Sequence, residues 1–386
     1  MTFKKQVFGF LDMLRFKKLV PNRRAALAAG SPEPLPKSYR VNEQARRLHP
    51  GVMEVELTAV RPLCPGMQEF TFRRLDADAF PFFRAGQYAA LQGNAGGSLV
   101  SRPYSIVSSP RQALAGELTL GVADAGFFSG WLNREARPGD RFRMTEPSGE
   151  FHYETLRDHR QIVCIAGGAG ITPFVSMARS MAEGDEPYEM LLFYGARTRE
   201  QLAYREELDA LREKGLRVVY VLSDEEVPGF EHGFATAKLL EKYTDIREAS
   251  FFLCGPQAMY DFLDRELAPY ALPRKAVRRD ASCCGALPAE EPRVFRLTVH
   301  IRDRVFSADA AENETLLASM ERAGIPAPSK CRAGGCGYCR SKWLGGEFRI
   351  AEGRDGRREA DRKFGFVHPC VTYPLSDMEI EVPPAE

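Results

Sequence analysis

The stretch SKCRAGGCGYC, residues 329–339, decides the fold of the C-terminal part of the chain. Its cysteines have the spacing C-x4-C-x2-C, and a fourth thiol follows at a distance: Cys331, Cys336, Cys339 and Cys370. Four cysteines at this spacing are typical of a [2Fe–2S] cluster. Most residues between them are small, namely Ala333, Gly334, Gly335 and Gly337, so backbone N–H groups can approach the sulfides closely. A zinc site would normally show two C-x2-C pairs, whereas this loop has one.

The segment around this loop resembles the plant-type ferredoxins across residues 294–386, including the trailing HPCVTYPLSDMEIEVP. The pattern predicts a strand over 294–303, a helix over about 314–323 and a closing strand over 378–383. The resemblance implies an α+β ferredoxin domain of the β-grasp type that holds the cluster.

The sequence RPYSIVSSP, residues 102–110, lies among short alternating strands that predict a small antiparallel barrel. Its first four residues, Arg102, Pro103, Tyr104 and Ser105, have the chemistry of a flavin site. The guanidinium can pair with a phosphate, the ring of Tyr104 can stack on the isoalloxazine, and Ser105 can donate to N5. Downstream, GFFSGWL (126–132) opens a helix, where Gly126 and Ser129 suit a pyrophosphate. We therefore expect FAD rather than FMN.

The sequence IVCIAGGAGITPF, residues 162–174, is a buried strand that runs into a glycine turn and a helix. Similar apolar runs alternate with helical stretches at 173–183, 199–213, 235–242 and 256–267, which predicts a doubly wound α/β domain. A glycine turn before a helix is a place where pyrophosphate binds. The motif residues are Gly167, Gly168, Gly170, Thr172 and Pro173. A second buried strand ends in Cys254, Gly255 and Pro256.

These motifs, in this order, resemble the ferredoxin–NADP⁺ reductase superfamily over residues 51–386. The resemblance is greatest to one-chain oxygenase reductases with a C-terminal ferredoxin, such as the phthalate dioxygenase and phenylacetyl-CoA epoxidase reductases. It implies that Cys254 lies beside the nicotinamide and that Ser105 and Cys254 are the catalytic side chains. The family usually ends its nucleotide domain with an acid and an aromatic. Here Asp280 and Ser282 occupy that region, so the aromatic is missing.

The choice of nicotinamide cofactor depends on Arg197 and Arg199, which follow the second strand of the α/β domain. Arginines at such a site can bind the 2′-phosphate of NADPH. The same stretch resembles NADH-using relatives with a G-A-R turn, so NADH is the expectation and NADPH the alternative.

The predicted domain order follows from these patterns. A basic N-terminal extension covers 1–50, the FAD-binding barrel 51–157, the NAD(P)-binding domain 158–280, a linker 281–293 and the ferredoxin domain 294–386. The adjacent Cys283 and Cys284 in the linker have no predicted role.

The N-terminal extension holds eleven Lys or Arg and three acids, whereas the whole chain has a net charge of only +1. The small net charge gives no indication of nucleic-acid binding. Residues 3–20 predict an amphipathic basic helix that ends at Pro21 and is followed by a Pro/Ala linker. Three interpretations stay open: a helix packed on the flavin domain, a docking helix for an acidic partner, or a peripheral membrane contact.

The predicted function is electron transfer from NAD(P)H through flavin and cluster to a partner redox protein such as an oxygenase. The alternatives are reductive activation of a corrinoid or another metalloenzyme, and an electron-transfer subunit of a larger complex. No apolar run approaches the about 20 residues of a membrane span. Nine cysteines, three of them within nine residues, favour a reducing compartment, so we expect the cytoplasm.

Overall fold

The computed structural model describes residues 3–30, 38–280 and 286–384, so Cys283 and Cys284 lie outside the described residues. The chain divides into two compact units, Met1–Arg47 and Leu48–Glu386. Within the described residues, no helix combines the length and the apolar composition that a membrane crossing needs.

The first unit is helical, with α1 over Phe3–Ala28 and α2 over Arg40–Leu48. The predicted end of the first helix at Pro21 is wrong, because α1 continues through this proline. A proline forfeits one helical hydrogen bond, at about 3 kcal/mol in a helix interior. The residues that follow it, from Arg23 to Ala28, include good helix formers that allow the helix to continue. The described side chains of residues 17–30 are exposed.

The second unit begins with a six-stranded antiparallel sheet in the order β4-β3-β6-β1-β2-β5. Its strands are β1 Val52–Cys64, β2 Met67–Arg74, β3 Tyr88–Ala95, β4 Ser98–Ser105, β5 Leu118–Ala123 and β6 Arg141–Thr145. Two short helices accompany the sheet, α3 Pro110–Leu114 and α4 Phe127–Glu135. Alternate residues face one core, as Val55 and Leu57 do on β1 and Phe70 and Phe72 on β2. The predicted antiparallel flavin barrel is confirmed.

The next sheet is parallel throughout, in the order β10-β9-β8-β7-β11-β12. Its strands are β7 Gln161–Gly167, β8 Glu189–Ala196, β9 Arg217–Leu222, β10 Glu231–His232, β11 Ser250–Cys254 and β12 Val277–Arg279. Its helices are α5 Thr172–Ala182, α6 Arg205–Ala210, α7 Ala237–Glu241 and α8 Gln257–Leu267.

Strand β7 shows that this sheet is covered on both faces. Ile162 and Cys164 belong to one hydrophobic core, whereas Val163 and Ile165 belong to another. This is the arrangement of a doubly wound domain, as predicted. The strand order reverses between β7 and β11, which places the ligand-binding crevice at their carboxyl ends.

The predicted continuous helix over 199–213 is wrong. The segment consists of a 3-10 turn at Arg199–Gln201, α6, and a second 3-10 turn at Leu211–Lys214. Tyr204 interrupts it with a left-handed φ of 57°. Its ring is buried, and the preceding Ala203 N–H donates to the hydroxyl of Tyr194 at 3.0 Å. These tertiary contacts offset a backbone strain of about 1–2 kcal/mol.

The last part forms a five-stranded mixed sheet, β14-β13-β19-β15-β17, and a two-stranded sheet, β16-β18. The strands are β13 Val294–Ile301, β14 Arg304–Ala311, β15 Ser341–Gly345, β16 Phe348–Ile350, β17 Phe366–Val367, β18 Thr372–Pro374 and β19 Met378–Glu381. Helix α9 (Leu316–Arg322) packs in the core of this sheet, and α10 covers Glu359–Lys363. A parallel pairing of β13 with β19 beside a β13–β14 hairpin confirms the predicted β-grasp fold.

Candidate functional site

The four predicted cluster cysteines come together as two pairs. Sγ of Cys339, just before β15, lies 3.3 Å from Sγ of Cys370, in the turn between β17 and β18. The side chains of Cys331 and Cys336 interact with each other in the loop after α9. Among the described residues, no three or more His, Cys, Asp or Glu gather as a single metal ion would require. Two pairs of sulfurs instead suit two irons, each held by two thiolates.

Backbone donors aim at this loop's sulfurs. The N–H groups of Ala333 and Tyr338 donate to Sγ of Cys331 and Cys336, each at 3.4 Å. The Cys336 side chain, together with backbone N–H groups, lowers the pKa of Cys331 to about 5. The same contact raises the pKa of Cys336, so the thiolate, which is the form that binds iron, forms first at Cys331.

At Gly334, the cluster loop packs against a neighbouring segment so closely that a side chain would not fit. Gly334 has a φ of +79°, and a Cβ there would lie 2.4 Å from the carbonyl oxygen of Arg354. Behind it, the buried His368 has Nδ1 2.8 Å from the Gly334 carbonyl oxygen, so Nδ1–H donates this bond. The sequence alone did not distinguish His368 from an ordinary packing histidine.

The two predicted catalytic side chains meet at a third residue. Oγ of Ser105, at the end of β4, lies 3.4 Å from Oδ2 of Asp280, and Sγ of Cys254, at the end of β11, lies 3.5 Å from the same oxygen. Burial and the Asp280 carboxylate raise the pKa of the Cys254 thiol well above its usual value. Cys254 is therefore a neutral thiol at pH 7. Sequence reasoning noted Asp280 only as the acid near a missing aromatic and did not assign it this shared contact.

Arg102, predicted to bind a flavin phosphate, contacts an acid near the cluster loop. Its Nη1 lies 2.9 Å from Oε2 of Glu321 on α9, and Nη1 of Arg332 lies 2.7 Å from Oε1 of the same carboxylate. Arg332 is buried and adopts a left-handed φ of 54°. Glu321 thus links the RPYS motif to the cluster loop, a contact between distant segments that no sequence signal indicated.

The other flavin-motif residues lie on the same barrel. Pro103 and Tyr104 are on β4, and Tyr104 packs against the barrel core. Gly126 precedes α4 without a side-chain cap, so the N–H groups of the first helical turn keep their capacity for an anion. The hydroxyl of Ser129 closes its own turn by accepting from Ala125 N–H at 3.2 Å and donating to Gly126 O at 3.2 Å. These residues fit a bound pyrophosphate.

The glycine turn after β7 lies against the Cys-Gly-Pro turn after β11. A Cβ on Gly170 would lie 2.0 Å from the carbonyl oxygen of Cys254, so only glycine permits this approach. Thr172 donates to Ala169 O at 3.2 Å, and Pro173 occupies the first turn of α5. Gly255 N–H donates to the hydroxyl of Tyr260 at 3.1 Å, and Pro256 precedes α8.

A cavity of about 580 Å³ opens at the carboxyl ends of these strands, lined among others by Gly167, Gly168, Arg197 and Pro256. It lies at the predicted crevice and is large enough for part of a dinucleotide. Nε of Arg197 lies 2.7 Å from Oδ2 of Asp224, just after β9. The Ser223 hydroxyl and Arg197 lower the pKa of Asp224, so this carboxylate is ionised at neutral pH. Arg199 instead offers its backbone N–H to Glu225 at 2.8 Å.

A second cleft, of about 930 Å³, lies between the three sheets. Tyr88 and Ser148 line its barrel side, Asp280 its nucleotide-domain side, and Cys331 and Cys336 its cluster side. The shared acid of Ser105 and Cys254 therefore lies on the same cleft as two cluster thiols.

Comparison with known protein families matches three regions of the chain. Residues 54–153 match the oxidoreductase FAD-binding domain, 164–265 the oxidoreductase NAD-binding domain, and 299–375 the 2Fe-2S iron-sulfur cluster binding domain. The predicted FAD, NAD(P)H and [2Fe–2S] cofactors are confirmed.

Several similar proteins carry the name reductase or oxidoreductase. A putative toluene-4-sulfonate monooxygenase system reductase subunit of Comamonas testosteroni is 30% identical over 296 residues, which cover 76% of this chain and 87% of that protein. The NADH oxidoreductase HCR of Escherichia coli is 26% identical over 301 residues, covering 78% and 89%. Among solved structures, phthalate dioxygenase reductase shares the fold with a TM-score of 0.63, at 23% identity, over 86% of this chain and 98% of that one. The chain therefore belongs to the ferredoxin–NADP⁺ reductase superfamily, as an NAD(P)H-dependent electron-transfer reductase with a C-terminal plant-type [2Fe–2S] ferredoxin domain.

Proposed function

We propose that the chain takes electrons from NADH near Ser105, Cys254 and Asp280 and delivers them, through the cluster at Cys331, Cys336, Cys339 and Cys370, to an oxygenase component. When bound, FAD supplies the conversion from a two-electron hydride donor to the one-electron cluster. The observation that carries this proposal is the shared cleft, because Asp280 and two cluster thiols line it together. The monooxygenase-system reductase among the relatives supports an oxygenase as the acceptor.

Within the flavin site we assign distinct roles to the motif residues. Arg102 pairs with a flavin phosphate, in competition with Glu321, and the α4 N-terminus at Gly126 and Ser129 takes the pyrophosphate. Tyr104 supports the ring, while the Ser105 hydroxyl, which lies within reach of Asp280, donates to N5. These assignments fit the predicted domain limits 51–157 and 158–280, which we retain.

At the nucleotide site we propose that the close approach of Gly170 to Cys254 sets the depth at which the nicotinamide binds. Gly167, Gly168, Thr172 and Pro173 form the pyrophosphate turn, and Cys254, Gly255 and Pro256 form the turn beside the nicotinamide. The buried Cys254 thiol is neutral, so it would add no charge to the pocket that holds the nicotinamide.

We further propose NADH as the physiological donor. The charge of Arg197 is already paired with Asp224, and an ionised carboxylate at this position repels a 2′-phosphate. A cytoplasmic location follows from the requirement of the cluster site for four reduced thiols.

For the N-terminal extension we propose a secondary docking role. Helix α1 contains seven Lys or Arg and a single acid, Asp12. The exposed side chains of Lys17, Lys18, Arg23 and Arg24 suit an acidic partner surface, with a peripheral membrane contact as the alternative.

Replacement of Cys336 by Ser tests the proposed order of carriers. We expect the variant to lose iron and cytochrome c reduction while it keeps NADH-dependent ferricyanide reduction, because ferricyanide can take electrons at the flavin. Cys64→Ser is the matched control, since Cys64 is a half-buried free thiol on the barrel. A folded, flavin-loaded Cys336→Ser protein that has lost both activities would be inconsistent with the proposal.

A further inference from the structure

Cationic side chains outnumber acids in the lining of the cleft between the three sheets. The lining contains two acids, Glu150 and Asp280. It also contains six cationic side chains: Arg157, Arg274, Lys275, Arg278, Arg279 and Lys330. The cations come from the segment after the barrel, from the region around β12 and from the cluster loop. Their shared position around one opening concentrates positive potential there, although the whole chain is nearly neutral.

Three of these cations are already paired with acids: Arg278 with Asp158, Arg279 with Asp264 and Lys330 with Glu146. The other three, Arg157, Arg274 and Lys275, are exposed and form no ion pair with any residue that the structure describes. Their charges are therefore free to act on an approaching molecule.

The floor of the same cleft contains the most accessible part of the cluster site. Cys336 is the exposed member of the four cysteines, and Gly335 and Tyr338 beside it are exposed too. Leu156, which precedes Arg157 in the chain, has a fully exposed side chain. A basic rim with an apolar contact point around a redox site has the features of a protein interface.

We propose that the electron acceptor is a protein with an acidic surface that docks over this cleft, guided by Arg157, Arg274 and Lys275. The inference rests on the proposed function and names the surface and charge of the partner. The acceptor has to approach the cluster closely, and the cleft brings it to Cys336. Anionic patches on the acceptor complement the three unpaired cations, which raises the rate of encounter at low salt.

The test compares the wild-type protein with the triple variant Arg157→Glu/Arg274→Glu/Lys275→Glu, using two haem proteins of opposite charge as probes. The haem domain of cytochrome b5 is acidic, and cytochrome c is basic. We expect the variant to reduce the cytochrome b5 domain at least about tenfold more slowly at low ionic strength. The wild-type rate should fall as salt is added, the variant rate should not, and cytochrome c should be reduced faster by the variant.

A matched reversal elsewhere provides the control. Lys17→Glu/Lys18→Glu/Arg23→Glu changes the net charge by the same amount on the exposed face of α1. We expect a smaller effect on the cytochrome b5 domain than the cleft reversal causes. If the helix reversal gives the larger loss, the cleft is not the main docking surface and the inference is overturned.

Anaerobic reduction of the flavin and the cluster by NADH, followed directly by absorbance, separates this inference from the proposed function. A wild-type protein whose cluster NADH does not reduce would overturn the proposed function. Normal internal reduction with equal cytochrome b5 rates in wild type and cleft variant would overturn the docking surface alone. If the reversal prevents cofactor loading, the neutral variant Arg157→Gln/Arg274→Gln/Lys275→Gln replaces it and should show an intermediate loss.

Discussion

The Asp280 carboxylate contacts Ser105 of the barrel and Cys254 of the parallel sheet. Burial is the main cause of the raised pKa of the Cys254 thiol, and the charge of Asp280 raises it further. In Asp280→Asn that contribution disappears, so the pKa of Cys254 should fall and its thiolate should form at lower pH. We expect the alkylation of Cys254 by iodoacetamide, followed by peptide mass spectrometry, to begin at lower pH in this variant.

Cys164 is the internal control for this experiment. It is fully buried on β7, and burial alone raises the pKa of its thiol. Its alkylation should not respond to Asp280→Asn. An unchanged pH profile at Cys254, or an equal shift at both cysteines, would mean that Asp280 does not act on Cys254 as the geometry implies.

The ion pair between Arg197 and Asp224 makes the preference for NADH testable. Asp224→Asn removes the carboxylate that repels a 2′-phosphate and leaves the arginine free to bind it. We expect the KM for NADPH to fall about tenfold, equivalent to about 1.4 kcal/mol, with little change for NADH. Arg197→Ala should produce no such gain. Steady-state kinetics with both cofactors check this prediction. Equal effects on NADH and NADPH in both variants would mean that this ion pair does not determine the choice of cofactor.

At the scale of elements, the cluster loop depends on Gly334. An alanine there would combine a left-handed φ with a Cβ 2.4 Å from the Arg354 carbonyl oxygen, whereas a Cβ on the neighbouring Gly335 meets nothing within 4 Å. We expect the Gly334→Ala protein to lose most of its iron. Its free energy of unfolding should fall by about 1–2 kcal/mol or more. Gly335→Ala should keep both iron and stability. Iron analysis and thermal unfolding of the two variants test this prediction. Equal iron contents would contradict a special role for Gly334.

The same scale shows which elements the sequence could predict. Strands such as β7 and β11 are continuous apolar runs that end at glycine, so the local pattern was enough to find them and the motifs at their ends. The break at Tyr204 and the continuation of α1 through Pro21 were missed. The break at Tyr204 depends on buried contacts with other segments. The continuation of α1 depends on how the residues after Pro21 offset a lost hydrogen bond.

At the scale of the whole molecule, the site is assembled from segments far apart in the chain. The cluster motif could be recognised from its own spacing, whereas the flavin and nicotinamide motifs were recognised from their order along the chain. The sequence did not indicate that Asp280 would join Ser105 to Cys254, or that Glu321 would join Arg102 to Arg332. Such contacts follow from the packing of three sheets, because local periodicity says nothing about which strand ends meet.

The arrangement of the three sheets also explains how electrons can be carried within one chain. Asp280 and the cluster thiols Cys331 and Cys336 line one cleft, so the proposed site of hydride transfer and the cluster lie on a common opening. The barrel and the ferredoxin domain each have a core of their own, and a third core joins Met67 of the barrel to the parallel sheet. The contact of Glu321 with two arginines connects the barrel with the cluster loop.

The most direct test of this account is anaerobic rapid mixing of the full-length protein with NADH, followed by absorbance of the flavin and by electron paramagnetic resonance of the cluster. We predict that the flavin bleaches first and that the signal of the reduced cluster follows, whereas Cys336→Ser shows the first phase alone. Reduction of the cluster with no preceding flavin phase, or flavin bleaching that leaves the wild-type cluster oxidised, would contradict it.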